Sequence, residues 1–436
     1  MMKNTQTILD IHDKPTAGKL TTLSIQHMFA MFGATILVPQ LVGLSPAIAL
    51  LTSGIATLIF LFVTKFQVPA YLGSSFAFIV PIIAATENGG IGSAMIGSLF
   101  VALVYFIVSI VIWKTGYKWI MNLLPPIVVA PVIIVIGLAL SPVAIDMAMN
   151  ITVDGVSQYS MKHFSAALVT LAAAVVATLF FKGIISLMPV LIGIIVGYLY
   201  SLMIGIVDFS TVLSAKLFST PDFLIPGIHY EFAITPTLLG LMVPIAIVTI
   251  SEHIGHQLVL GKIVNRNYIK DPGLHRSLLG DGLGTLISGL VGGPPKTTYG
   301  ENIGVLAITR VYSVYVIGGA AILAILFSFL GKMMALISTI PTAVLGGISI
   351  LLFGIIASSG LRMLVDNNID FGNKRNLVIS SIILVIGIGG AKLHFSDTFE
   401  LEGMALAAII GVVLNLVLPG RQKELSDPFE ITTTKS

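Results

Sequence analysis

The chain has 436 residues, of which 56% are hydrophobic and only 10% are charged. Because soluble domains carry about 25% charged residues, this composition excludes a soluble globular protein and predicts an all-α polytopic membrane protein. The lack of cysteine excludes disulfides and thiolate metal sites, and the net charge of +3 is not gathered into a patch of the kind that binds nucleic acid.

The first 19 residues are polar and lack the apolar run of a signal peptide. After them, apolar segments of roughly 20 residues, the length that crosses a bilayer as a helix, recur along the chain. We predict fourteen transmembrane spans; twelve is the alternative, because the third, ninth and tenth segments are short or interrupted by Gly and Pro. The segments cover 22–44, 46–64, 69–85, 91–113, 125–147, 164–181, 184–206, 237–258, 278–292, 297–310, 314–338, 341–364, 375–391 and 403–419.

The basic residues support the count of fourteen. With both termini in the cytoplasm, 18 of the 23 Lys and Arg residues fall in inner segments, as the positive-inside rule requires. Removing one span would destroy this alternation in the rest of the chain. We therefore expect a multi-pass protein of the cell (inner or plasma) membrane with both termini cytoplasmic. The outer loops hold Lys162, Lys216, Lys296, Lys332 and Lys392.

The third and tenth segments resemble each other. Each has a proline, then two hydroxyl residues, then an aromatic residue, in Pro69–Phe78 and in Pro295–Tyr299. They are seven spans apart, and since seven is odd, the two halves of the chain would lie inverted in the membrane. Chance similarity of short stretches is the alternative. Paired interrupted segments mark transporter binding sites, so we predict two inverted repeats of seven spans.

The interruptions also predict short extended segments within spans 3 and 10. The hydroxyl pairs Ser74-Ser75 and Thr297-Thr298 favour extended backbone more than helix. Two such pieces that pair at mid-membrane would each leave the N-terminus of a half-helix facing a cavity. Free backbone N–H groups there would suit the carbonyl oxygens of a ligand.

Three carboxylates fall within apolar segments: Glu252 in the eighth span, Asp281 at the start of the ninth and Glu301 in the tenth. An acid near the bilayer centre costs roughly 2.5–3.5 kcal/mol on insertion scales, so intramembrane acids are candidates for function. The alternative is a structural acid bonded to backbone N–H groups at a helix break. For Asp281, at a span edge among glycines, we expect helix capping.

Histidines accompany one of these acids. Glu252 and His256 are four residues apart and share a helix face, and such a pair can exchange a proton near neutral pH; His253 points elsewhere. His27 lies in the first span, the repeat mate of the eighth, and is either a proton-coupling or a structural residue. The order Glu-His-x-x-His is not the His-Glu-x-x-His zinc motif, so we expect no metal and no cofactor other than a coupling proton.

The same stretches carry a family resemblance. Glu301-Asn302-x-Gly304-x-x-x-x-Thr309-Arg310 resembles the signature of the nucleobase–ascorbate transporter family. The stretches Gly-Gly-Pro-Pro-x-Thr-Thr-Tyr-Gly-Glu-Asn, Ser-Glu-His-Ile-Gly-His, Gln-His-x-Phe-Ala-Met-Phe-Gly-Ala-Thr and Leu-Gly-Ser-Ser-Phe-Ala-Phe are similar to its bacterial uracil permease branch. The resemblance runs from about residue 20 to residue 420, so it covers nearly the whole chain.

This resemblance implies a substrate site. The carboxylates of Glu252 and Glu301 would hydrogen-bond a pyrimidine, and the backbone N–H groups of Phe76 and Gly300 would meet its carbonyls. His256 would assist, in part through water. Uracil offers two N–H donors and two carbonyl acceptors, and the site offers the converse. In the family the first signature position is Glu in uracil carriers and often Gln in purine carriers, so Glu301 favours uracil.

Two further positions follow from the resemblance. Ala34 would line the same pocket. Phe353 takes a gate-facing position where some relatives have Tyr, which keeps aromatic packing but removes a hydroxyl.

The resemblance also implies two domains. A core (substrate) domain would comprise residues 1–120 and 235–338, with spans 1–4 and 8–11. A gate domain would comprise residues 121–234 and 339–425, with spans 5–7 and 12–14, and would form a homodimer contact; residues 426–436 would be a cytoplasmic tail.

The predicted function is proton-coupled import of uracil by movement of the core against the gate, with Glu301, His256 and His27 in proton coupling. The alternatives are a xanthine, urate or other nucleobase symporter of the same fold, a channel, and a membrane-embedded hydrolase using Glu252 and His256. The hydrolase would need a nucleophile or a metal beside that pair.

Overall fold

Helices form most of the chain, as its long apolar segments predict. The computed structural model describes residues 7–153, 155–182, 188–396 and 399–420; the predicted tail, residues 426–436, lies outside them. The helices of the first half are α1 (Ala17–Leu41), α2 (Pro46–Val63), α3 (Ile79–Thr115), α4 (Lys118–Leu123), α5 (Pro126–Ala139), α6 (Ser141–Met149), α7 (Met161–Phe180), α8 (Pro189–Met203) and α9 (Ser210–Ser214). Those of the second half are α10 (Pro236–Met242), α11 (Ile245–Val264), α12 (Leu274–Val291), α13 (Gly300–Thr309), α14 (Val314–Ser328), α15 (Gly331–Ser338), α16 (Thr342–Asp366), α17 (Lys374–Ile388) and α18 (Gly403–Val417).

Among the described residues, seven helical stretches are long and apolar enough to cross a membrane. The pair α14–α15, bent by 84°, gives an eighth when it is taken as one broken span. The stretch from Phe76 to Thr115 is the longest of the seven and is itself broken, because Gly90 takes a φ of 74° that only glycine adopts easily. The protein is therefore a mostly helical, multi-pass membrane protein.

Short strands lie where the chain interrupts its helices. Strand β1 (Leu72–Ser74) precedes a single 3-10 turn at Phe76–Phe78, and β4 (Lys296–Thr298) precedes α13. The two strands pair antiparallel, with Gly73 opposite Thr297 at the centre. Two surface hairpins complete the strands: β2 (Asn150–Val153) with β3 (Val156–Tyr159), and β5 (Lys392–Ser396) with β6 (Phe399–Glu402).

Each central strand is held by a threonine of the preceding helix. The N–H of Leu72 donates to Thr57 Oγ1 on α2 (2.9 Å), and the N–H of Lys296 donates to Thr285 Oγ1 on α12 (3.0 Å). The Thr285 hydroxyl in turn donates to the Lys296 carbonyl (3.1 Å). Buried backbone groups that face no further strand thus find partners, and the arrangement is the same on both sides of the strand pair.

The helices pack in two groups, and the strand pair lies within the first of them. Helices α1, α2, α3, α10, α12 and α14 contact one another, and so do α5, α6, α7, α8, α16, α17 and α18. Helix α11 lies between the groups, since it contacts α13 and β4 as well as α5 and α18. Large apolar side chains such as Phe62, Phe180 and Met203 remain exposed on the outer faces, as lipid-facing positions would be.

Candidate functional site

A cavity of about 230 Å³ lies where the strand pair meets α11 and α16. The structure brings five of the predicted substrate-binding residues to its wall, and these come from three separate stretches of the chain. They are Phe76, Glu252, His256, Gly300 and Glu301. Most of the remaining lining is apolar, which is typical of small-molecule sites with a few placed polar groups.

Two helix N-termini contribute backbone donors to this cavity. The 3-10 turn that leads into α3 begins at Phe76, and α13 begins at Gly300. The first N–H groups of a helix have no partner within that helix, and the helix dipole adds partial positive charge at the same end. Both ends are therefore suited to the carbonyl oxygens of a bound molecule.

The two carboxylates supply acceptors. Glu252 projects from the middle of α11, is 8% exposed, and its Oε2 has no hydrogen-bond partner among the described residues. Glu301 lies in the first turn of α13, where a negative charge is favoured by the helix dipole. A buried acceptor without a partner is unfavourable, and Glu252 can accept a hydrogen bond from a donor group in the cavity.

His256, on α11, faces the start of α13. Its Nδ1 is 3.2 Å from Thr298 Oγ1, and a Cβ placed on Gly300 would lie 3.2 Å from its Nε2. The imidazole thus contacts the end of β4. The spacing of four residues along α11 had predicted Glu252 as its partner instead. Thr298 was not predicted to have this role, because the contact joins residues 42 positions apart.

Behind the strands lies a buried polar network around Asp281. His253 donates through Nδ1 to Asp281 Oδ2 (2.8 Å), and the Thr297 hydroxyl donates to the same oxygen (3.2 Å). The second ring nitrogen of His253 is 2.9 Å from Ser277 Oγ. The expected capping role of Asp281 is wrong, because α12 begins at Leu274 and Asp281 is an interior residue that joins α11, α12 and β4.

Three predicted residues do not line the cavity. Phe353 on α16 is buried and packs edge-to-face on Phe76, with ring centroids 5.9 Å apart. Ala34 is buried within α1, and His27, also on α1, is buried beside Asn302, the second residue of the signature. Their roles in substrate binding and proton coupling stay predictions.

The cavity opens at the C-terminal end of α16, a region that sequence reasoning missed. Ser359, Arg362 and Asp366 line this mouth. Arg362 Nε lies 3.4 Å from Asp366 Oδ2, and the two side chains are 73% and 40% exposed. An exposed ion pair four residues apart on one helix contributes little stability. The spacing of this pair is the only sign of the cavity mouth that the sequence offers.

A cavity at which two discontinuous spans meet, with helix N-termini and two carboxylates in its wall, is typical of a membrane transporter. The family model described as "Permease family" matches residues 18–395. The uracil permease of Bacillus caldolyticus is 66% identical over 97% of this chain and 97% of that protein, and the uracil permease of Bacillus subtilis is 57% identical over 97% and 98%. The uracil permease of Escherichia coli is 44% identical over 95% and 94%.

The chain therefore belongs to the nucleobase–ascorbate transporter family of permeases, and the resemblance of its signature is confirmed. It is a transporter by this membership. Solved structures show the same fold at low identity. The transmembrane domain of the cyanobacterial bicarbonate transporter BicA has a TM-score of 0.62 at 15% identity, covering 94% of this chain and 100% of that one. SLC26A9 has a TM-score of 0.68 at 11% identity, covering 91% and 64%.

Proposed function

We propose that this protein imports uracil together with a proton. The observation that carries the proposal is the convergence of Glu252, Glu301 and two helix N-termini, at Phe76 and Gly300, on one small cavity. Uracil has two N–H donors and two carbonyl acceptors, which match two carboxylates and two sets of backbone N–H groups. The three relatives named as uracil permeases support the choice of this pyrimidine.

The proposed architecture is fourteen spans in two inverted repeats. Equivalent threonines, Thr57 and Thr285, hold the two strands by the same hydrogen bond, which supports a repeat in which span 2 corresponds to span 9. The number of spans exceeds the number of long helices if α8, α18 and the pieces on each side of the broken helices are counted as separate spans. Both termini would then face the cytoplasm of a cell-membrane protein.

The two packing groups support a division into core and gate. The core, residues 1–120 and 235–338, carries both strands and both carboxylates, and the gate, residues 121–234 and 339–425, supplies α16 on the other side of the cavity. Alternating access would follow from movement of one group against the other around the fixed site. A homodimer would form through the gate, whose outer helices expose large apolar side chains.

In the proposed cycle Glu301 takes a proton from outside and uracil binds between Glu252 and the two helix N-termini. The core then shifts, the mouth near Arg362 opens inward, and both leave. His256 would assist through its contact with Thr298 and Gly300, and His27 through Asn302. Phe353 would close the site against Phe76, with Ala34 on the wall of α1.

The test is uptake of radiolabelled uracil into liposomes that contain the purified protein, with and without an inward proton gradient. We expect the gradient to drive accumulation, Glu301→Gln to abolish it, and the exposed control Glu231→Gln to leave it unchanged. Equilibration of uracil that ignores the gradient would refute proton coupling. Uptake of xanthine or urate in place of uracil would keep the fold and replace the substrate.

A further inference from the structure

Lys296 is a basic residue that lies in the interior of the protein. The count of outer-loop charges placed it outside the membrane, and this is wrong: its side chain is 0% exposed on β4, between α12 and α13. It does not line the cavity. Its side chain runs in the opposite direction, behind the strand pair and towards α2, so the transport chemistry described above does not use it.

The ammonium group has a complete set of neutral partners. Nζ donates to the Ala49 carbonyl (3.1 Å), to Ser53 Oγ (3.0 Å) and to Ser74 Oγ (3.3 Å). Lysine has three N–H donors and no acceptor, so each donor has one oxygen. Within the described part of the chain, no carboxylate lies within salt-bridge distance of Nζ. The amino group is held only by a carbonyl and two hydroxyls.

These three oxygens form a cage around Nζ that has the chemistry of a monovalent cation site. Membrane transporters bind alkali ions with backbone carbonyls and neutral oxygens at broken helices, and these three oxygens belong to α2 and to β1, the strand beside the break. An ammonium without an acid is expensive to bury, and packing alone would be served by an apolar side chain. We therefore infer that the amino group of Lys296, and not only the volume of its side chain, has a role at this break.

We propose that Lys296 is a tethered cation, whose protonated amino group occupies an alkali-ion site behind the strand pair. The wild-type protein then needs neither Na⁺ nor K⁺ there. Shortening the side chain empties the cage and leaves its oxygens free to bind one of these ions. The amino group also links the two strands, because it donates to Ser74 of β1. Ser74 and Lys296 are direct partners in the strand register.

The test measures the thermal unfolding midpoint of purified protein in detergent, in NaCl, KCl or N-methylglucamine chloride at equal ionic strength. This readout needs no uracil, so failure of the proposed function would not affect it. For Lys296→Ala we expect a midpoint below wild type in N-methylglucamine, and a saturable rise of a few degrees in NaCl or KCl. The wild-type midpoint should be the same in all three salts.

Two further variants separate a cation site from a structural role. Lys296→Met fills the space with an apolar chain and should show no response to Na⁺ or K⁺. Adding Ser53→Ala to Lys296→Ala removes one oxygen of the cage and should weaken the ion response at least tenfold in concentration. Equal midpoints of Lys296→Ala in all salts would overturn the proposal. The proposal would also be overturned if neither Lys296→Ala nor a second variant, Lys296→Ser, could be purified as folded protein in either NaCl or KCl.

Discussion

Asp281 offers the sharpest test of how the strand pair is held in place. Truncation by Asp281→Ala removes the acceptor for both the His253 Nδ1–H group and the Thr297 hydroxyl. Both donors are buried, since His253 is 0% and Thr297 2% exposed. A buried polar group without a partner costs about 1–3 kcal/mol, so two such groups predict a loss of about 2–6 kcal/mol in the free energy of unfolding.

The matched variant Asp281→Asn keeps the shape and one carbonyl acceptor. It exchanges charge-assisted hydrogen bonds of about 1.5–3 kcal/mol for neutral ones of about 0.5–1.5 kcal/mol. For the two bonds the expected loss is therefore on the order of 2–3 kcal/mol, in the lower part of the range for alanine. An exposed control, Asp222→Asn, should leave the free energy of unfolding unchanged.

The measurement is the free energy of unfolding of the three variants, from titration of protein in mixed micelles with a denaturing detergent. The ordering wild type, Asn, Ala is the expected result. A loss below 1 kcal/mol for Asp281→Ala, or equal losses for Asn and Ala, would refute the view that this carboxylate satisfies two buried donors. If Asp281→Ala lowers the free energy of unfolding but leaves uracil binding unchanged, the network stabilises the fold without positioning the site.

Two other substitutions test the strand pair itself. Gly73→Ala places a Cβ against the ring of Tyr299, so overpacking of about 1–3 kcal/mol should lower the thermal midpoint and the rate of uracil uptake together; an unchanged midpoint would contradict this close approach. Thr57→Val leaves the Leu72 N–H without its partner and should cost about 1–3 kcal/mol in the free energy of unfolding, whereas Thr57→Ser should cost much less; equal losses would show that the hydroxyl is unimportant.

The class and the family could be predicted from the sequence because both depend on local features. Composition alone identifies a membrane protein, and the signature from Glu301 to Arg310 is a continuous stretch. The interruptions were visible for the same reason, since Gly and Pro act on their own backbone. Strands β1 and β4 lie at those interruptions, and five of the seven residues assigned to the substrate reach one cavity, whereas Ala34 and Phe353 do not.

The contacts behind the cavity could not be predicted, because they join distant parts of the chain. Asp281 was expected to be a cap since glycines surround it, but its partner His253 lies one helix away. Lys296 was counted as an outer-loop charge because a short Gly-Pro stretch precedes it. Spacing along one helix shows which residues share a face, but it does not show which neighbouring helix that face meets.

The buried network bears on how this site selects its substrate. Half of the proposed donors and acceptors are backbone N–H groups at Phe76 and Gly300, and no substitution other than proline removes them. Their positions can change, because they follow directly from β1 and β4. Those strands are fixed by Thr57, Thr285 and Lys296. If the proposed site is correct, we expect selectivity to depend on these side chains, which do not touch the substrate, as well as on the two carboxylates that line the cavity.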